Sequence, residues 1–185
     1  MKSKAKRFLS ILMTVIMIIT SMGFPVVGAE TVAMADHVII SQVYGAGGNS
    51  GAIYTHDFVE LYNPTDAEVS ISGWSIQYAS AASEGETNFT GKAVLTGAIP
   101  AKSYYLVQLA SGSNGVALPP SDEQFSAPNL AGASGQVALV NDSITINKSE
   151  GPSIVDFVGF GTAKRFESAP TPSLSATTAA IRKTE

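Results

Sequence analysis

The chain of 185 residues contains no cysteine. No disulfide can staple it, so its fold must rest on a hydrophobic core, and the roughly 156 residues after the first 29 are enough to build one. Positive charge is also scarce. Lys2, Lys4, Lys6 and Arg7 are four of the 11 Lys and Arg, whereas none of the 15 Asp and Glu precedes residue 30. The remainder therefore carries 7 bases against 15 acids, a net charge of −8. That balance disfavours direct binding to nucleic acid, whose phosphates are held by Lys and Arg. Beyond the leader the only adjacent basic pairs are Lys164-Arg165 and Arg182-Lys183, too few for an electrostatic footprint on nucleic acid. Helical periodicity is missing after the leader. There is no HExxH motif, and neither His37 nor His56 has a partner at metal-ligand spacing. No G-x-S-x-G elbow is present. Asp122 and Glu123 are adjacent in a Pro-rich loop, where solvated side chains are expected, and adjacent carboxylates do not flank a scissile bond at the ~5–9 Å that two-carboxylate glycosidases need.

What the chain does have begins with a leader. Residues 1–29 read as a secretory signal peptide: a basic start, an apolar run over 8–19, and the small residues Val27-Gly28-Ala29 before a cut at Glu30. Ala33-Met34-Ala35 is a second, more distant cleavage signal. An uncleaved anchor over 8–27 is the competing reading, weakened by Ser21, Gly23 and Pro25. Residues 30–36 form a lead-in, and 37–185 a single domain with no membrane span once the leader is removed. Export without cysteine fits a bacterial cell envelope. Asn88, Asn141 and Asn147 head sequons that matter only in a eukaryotic secretory pathway.

The organising stretch is 57–78, DFVELYNPTDAEVSISGWSIQY. Phe58, Glu60 and Tyr62 alternate with Asp57, Val59, Leu61 and Asn63, as in a strand. Asn63-Pro64-Thr65-Asp66 ends it, because proline offers no N–H to a ladder. Residues 69–71 are a short extended piece. Trp74, Ile76 and Tyr78 share a face of a second strand, which predicts that Trp74, the only tryptophan, anchors the core. Further strands are expected over 37–43, 93–95, 104–109, 136–140 and 154–158, with another start at 144–146. A Gly/Ser/Pro-rich crossover over 110–133 should carry no ladder, and the chain after 162 reads as polar. Many short strands with turns between them predict an all-β, immunoglobulin-like antiparallel β-sandwich with Trp74 between the sheets.

Several motifs approach chemistry and fall short. Residues 45–51, GAGGNSG, lack dinucleotide spacing, a P-loop Lys-Ser/Thr and a following helix, and so read as a flexible hairpin or binding loop. Residues 86–92 miss the P-loop spacing too. His56, Asp57 and Glu60 could donate to a metal, calcium more readily than a transition metal, but Asp57 and Glu60 alternate to opposite faces. Solvated strand-end charges are the simpler reading. The six tyrosines, Tyr44, Tyr54, Tyr62, Tyr78, Tyr104 and Tyr105, could line a carbohydrate platform, although strand tyrosines serve equally as core or cross-strand residues. No catalytic, cofactor or metal residue is assigned, and no cofactor is expected. A binding surface is expected on the flanking loops, 44–54 and 79–87.

In order and spacing, HVIISQVYGAGGNSG, DFVELYNPTDAEVSISGWSIQY, AIPAKSYYLVQLASGSNG, GQVALVN and VDFVGFG resemble bacterial lamin-tail domains over about 37–183. Phe58, Val59, Leu61, Asn63 and Trp74 sit where the tail of nuclear lamins has a similar strand, polar turn and tryptophan strand. The resemblance implies an immunoglobulin-like sandwich that binds or tethers without catalysis. It further implies an accessory module on secreted or surface proteins, with a protein or cell-envelope polymer as partner. In this family the module often precedes a secreted nuclease, metallophosphatase or nucleotidase, so the alternative is an accessory part of such an enzyme with its catalytic domain beyond 185. A carbohydrate-binding surface domain is the third reading. The family usually continues past an Arg-Lys pair with a further acidic run, which implies a domain incomplete at Glu185 and a last edge strand that is missing or unpaired.

Overall fold

A computed structural model describes residues 35–81, 89–147, 151 and 153–183. The leader, most of the lead-in, the loop over 82–88 and Asn88 lie outside the described residues. Among those described there is no helix, and so none long and apolar enough to cross a membrane.

The described residues form eleven strands: β1 (Ile39–Tyr44), β2 (His56–Tyr62), β3 (Val69–Ser70), β4 (Ser75–Ser80), β5 (Gly91–Val94), β6 (Ala98–Ile99), β7 (Tyr104–Ser111), β8 (Glu123–Gln124), β9 (Gly135–Val140), β10 (Ile154–Phe160) and β11 (Ala180–Ile181). One sheet runs β11-β1-β2-β7-β8 and another β10-β9-β4-β5, while β3 and β6 pair separately. Every pairing is antiparallel except β7 with β8. The expected immunoglobulin-like sandwich is the fold. Alternation supplies its core. Val43, Val59, Leu61, Val107 and Leu109 come from the first sheet and Ile76, Val137, Leu139 and Phe160 from the second, all in one buried cluster. Burying each such side chain stabilises the fold by about 1.5–3 kcal/mol.

The outer face of the second sheet is covered as well. Ala138 and Val140 of β9 pack with Ala79, Phe89 and Phe157 in a second cluster, so all six residues of β9 are buried. The cover is residues 141–147, and polar groups hold it there. Gln77, fully buried, donates from Nε2 to the Ile144 carbonyl at 2.8 Å and accepts the Ile146 N–H at 3.0 Å. Ser75 Oγ donates to the Asp142 carbonyl at 2.6 Å. The strand start expected at 144–146 is absent: Gln77 takes the Ile144 carbonyl and the Ile146 N–H, Asp142 Oδ1 accepts the Ile144 N–H, and the Ile146 carbonyl accepts the Phe89 N–H, with no strand beside them.

Other expectations change too. The two strands of 57–78, read as one organising stretch, fall in different sheets. β2 lies between β1 and β7 in one sheet, and β4 between β9 and β5 in the other. Their link is a crossing between layers, fastened by Asn63. This fully buried side chain donates to the carbonyls of Ala67, Ile99 and Pro100 at 2.8–3.1 Å and accepts the Thr65 N–H at 3.0 Å. Trp74 is only half-buried, packed against the core from its rim. It precedes β4 and hydrogen-bonds beside β5, the sheet's edge, so the deep positions fall to Ile71, Ile76, Leu95 and Ile99. The crossover expected to carry no ladder contains β8, and the polar end contains β11, which pairs with β1 through Gln42↔Ile181 and Val43↔Ala180.

Candidate functional site

Asp57 begins the inward-facing series Asp57, Val59, Leu61, Asn63 along β2, all of them buried. It is 1% exposed, so it is not the solvated strand-end charge expected for it. Its Oδ1 accepts the Gly47 N–H and its Oδ2 the Leu130 N–H, each at 2.7 Å. One carboxyl thereby ties the glycine-rich β1–β2 loop to the crossover that leads into β9. Burial raises its pKa to about 6, against the pull of those two N–H groups. Tyr78, whose hydroxyl accepts the Ala131 N–H at 3.1 Å, is also raised by burial, with a smaller contribution from the Asp57 charge.

The glycine-rich loop is correspondingly built rather than slack. A Cβ at Gly47 would lie 2.1 Å from the His56 carbonyl carbon, and one at Gly48 (φ 72°) 2.0 Å from Gly112 Cα. Backbone bonds join the loop to two others: Gly48 with Ser113 and Asn114, Thr55 with Gly112 and Val116, and Ile53 with Ala176. Tyr44, Tyr54 and Phe58 pack ring against ring beneath it, and the Tyr44 hydroxyl donates to the Ala176 carbonyl at 2.6 Å. The result is a fixed loop end over 45–55, 112–116 and 175–178. No Asp, Glu, Lys, Arg or His occurs in those three segments, and Ile53 and Val116 are exposed on them.

The remaining candidates are not brought together. His56 and Glu60 lie on the opposite face of β2 from Asp57, as the alternation requires. His56 Nδ1 is 2.8 Å from Thr55 Oγ1, and Glu60 accepts from Ser41 Oγ at 2.7 Å. Among the described residues no three His, Asp or Glu side chains are grouped to hold a metal. Asp122 and Glu123 are not simply solvated. Asp122 accepts the Leu106 N–H at 2.7 Å, and half-buried Glu123 accepts the Thr96 N–H at 2.8 Å and its hydroxyl. Burial, with these two carboxylates nearby, pushes the Tyr105 hydroxyl up to about 12. Tyr62 and Tyr104 stack on each other across β2 and β7, centroids 4.6 Å apart, as a cross-strand pair and not a flat platform.

A second polar centre was hidden from sequence reasoning. Asp156 of β10, its side chain 2% exposed, accepts the Ile40 N–H of β1 at 2.6 Å and the Arg182 guanidinium at 2.8 and 2.9 Å. Arg182 also donates to the Ile40 carbonyl and to Glu167, both at 3.1 Å. Burial raises the Asp156 pKa, while Ile40 and Arg182 pull it down. The clasp closes the open side of the sandwich, where β1 and β10 face each other. A lone acid in an apolar run, IVDFV, was a visible signal for Asp156; its partner, 26 residues away, had none.

The lamin tail domain family matches residues 31–162. The chain belongs to that family. Comparison with curated proteins finds no match. Within this lamin tail domain the match takes in β1 through β10, with Asp57, Asn63 and Asp156. It stops short of Lys183, and β11, Glu167 and Arg182 lie beyond it.

Proposed function

We propose that this lamin tail domain is an exported, non-catalytic binding or tethering module, acting outside the cell or at its surface on a protein or cell-envelope polymer. The carrying observation is the loop end over 45–55, 112–116 and 175–178, a surface fixed in advance by Asp57, backbone bonds and close glycine contacts, and free of charge in an acidic protein. A surface ordered before binding loses little entropy on binding. The non-catalytic reading is supported by the employment of the buried carboxylates: Asp57 and Asp156 hold backbone N–H groups together. The leader supports export.

The test is retention of the protein on cell-wall polymer and on surface-protein extracts, beside Ile53→Asp and Val116→Asp. The expected result is retention by the wild type that either variant lowers at least tenfold. Retention unchanged by both variants would refute the loop end as the binding surface, and release of nucleotide from DNA, or of phosphate from nucleotides, with added divalent metal would refute the non-catalytic reading. Export is checked by the mass of the mature protein, expected to begin at Glu30.

A further inference from the structure

Most of the sheet edges are short or already taken. β1 is covered by β11, and Thr171 exchanges backbone bonds with Gly159 and Gly161 along β10. β8 and β11 are two residues each. β5 differs: it is four residues long, ends its sheet, and pairs with β4 on one side only. The Leu95 N–H goes to the Trp74 carbonyl. Opposed residues of an antiparallel pair alternate between bonded and non-bonded. Gly91, Ala93 and Leu95 therefore bond towards β4, and Lys92 and Val94 turn their N–H and C=O groups outward. Among the described residues nothing pairs with those four groups. Val94 is 39% exposed and Lys92 half-buried, so this edge lies in water. The next outward residue, Thr96, is taken: its N–H goes to Glu123, and its carbonyl accepts the Tyr105 hydroxyl.

Proteins usually guard such an edge with a proline, a bulge or an obstructing charge. β5 has no proline and no bulge. Its one charge, Lys92, lies back over its own sheet, where Nζ donates to the Ser143 carbonyl at 2.7 Å.

The register decides which strand fits. The open residues are two apart, and a second copy of β5 supplies the same two. Turned antiparallel about a two-fold axis through Ala93, it sets Lys92 of each copy opposite Val94 of the other, with four backbone bonds. An axis through Lys92 would set two like charges opposite each other, which is unfavourable. An axis through Val94 would set Lys92 against Thr96, whose groups are taken. At the Ala93 axis the opposed side chains are small, and the aliphatic stem of Lys92 covers the exposed Val94 of the other copy. Residues 89–99 hold no Asp or Glu, so in an acidic protein these two strands meet without acid facing acid.

We propose that β5 is a self-association surface, where two copies of this chain pair β5 to β5 and continue one sheet across both. The pairing is independent of what the loop end binds.

The full chain has no cysteine, so single cysteines report the register. Ala93→Cys sits on the axis, in a non-hydrogen-bonded pair with Cα atoms about 4.5 Å apart, within the span of a disulfide. Ala93 is 2% exposed and Val116 62%, so random collision favours Val116→Cys. Under copper–phenanthroline oxidation in air, Ala93→Cys is nonetheless expected to form a disulfide-linked dimer at least tenfold faster than Val116→Cys. Val94→Pro removes an outward N–H and no bond of its own sheet, and added to Ala93→Cys it should slow the cross-link at least tenfold. Should that variant not fold, Val94→Lys, which sets lysine opposite Lys92 of the other copy, takes its place with the same expectation. Ala93→Cys cross-linking no faster than Val116→Cys overturns the pairing, and so does a cross-link indifferent to the Val94 substitution.

Discussion

Asp57 shows how one residue is given its role by its phase in a strand. A carboxylate in register with Val59, Leu61 and Asn63 must point where they point, and it is kept there by the Gly47 and Leu130 N–H groups. Its pKa is raised from 3.8 to about 6, so the folded protein takes up a proton more readily than the unfolded chain. The stability from that proton is complete below pH 3.8 and is lost as pH rises through about 6. Asp57→Asn cannot titrate and offers one acceptor for two donors. Urea unfolding should show the variant less stable by about 1–3 kcal/mol at pH 7. The gap should widen by about 2–3 kcal/mol on going to pH 4. A gap that does not change with pH would mean that burial has not raised this carboxyl.

Among the elements, the longer ones were legible and the shortest, apart from β3 in the extended piece over 69–71, were not. β2, β7, β9 and β10 carry alternation or β-branched runs that declare a strand locally. β3, β6, β8 and β11 are two residues each, too short for any period, and exist because a partner's backbone is in reach. The cover over 141–147 is the reverse case. Its Ile144 and Ile146 look like a strand, but the neighbour they meet is the Gln77 side chain, which takes the Ile144 carbonyl and the Ile146 N–H. Gln77→Leu keeps the volume and removes the bonds. The expected loss is about 1–3 kcal/mol, with hydrogen exchange at the Ile146 amide accelerated well beyond that at the β9 amides. Uniform acceleration across β9 and Ile146 would show that the cover is not held separately.

For the whole molecule, the two sheets are joined on one side by the Asp156–Arg182 clasp, which ties β1, β10 and the residues leading out of β11. Arg182→Ala removes the countercharge and leaves a buried carboxylate with one N–H donor from β1. Breaking a buried pair from one side costs about 3–5 kcal/mol. Arg182 is partly exposed, at 28%, which places the expected loss toward the lower figure. At about 2–4 °C per kcal/mol for a domain near this size, a melting temperature lower by roughly 6–12 °C is expected. Asp156→Asn with Arg182→Met leaves no orphaned charge and should recover part of that loss. A double variant no better than Arg182→Ala would place the stabilisation elsewhere than in the pair.

The amino-acid sequence by itself determined that the protein is built of strands, where most of them lie and which residues face inward, since side-chain direction follows from a local period of two. It also carried the family, in the order of FVELYN, GWSIQY and VDFVGF. Only the tertiary structure decided which strands are neighbours, that the two strands of 57–78 belong to different sheets, and that Trp74 sits at the rim. It alone placed Asp57 between two loops and Asp156 opposite Arg182. Alternation specifies a face but never a partner; partners are chosen by contacts between residues far apart in the chain, where every buried N–H and carboxylate must find its complement.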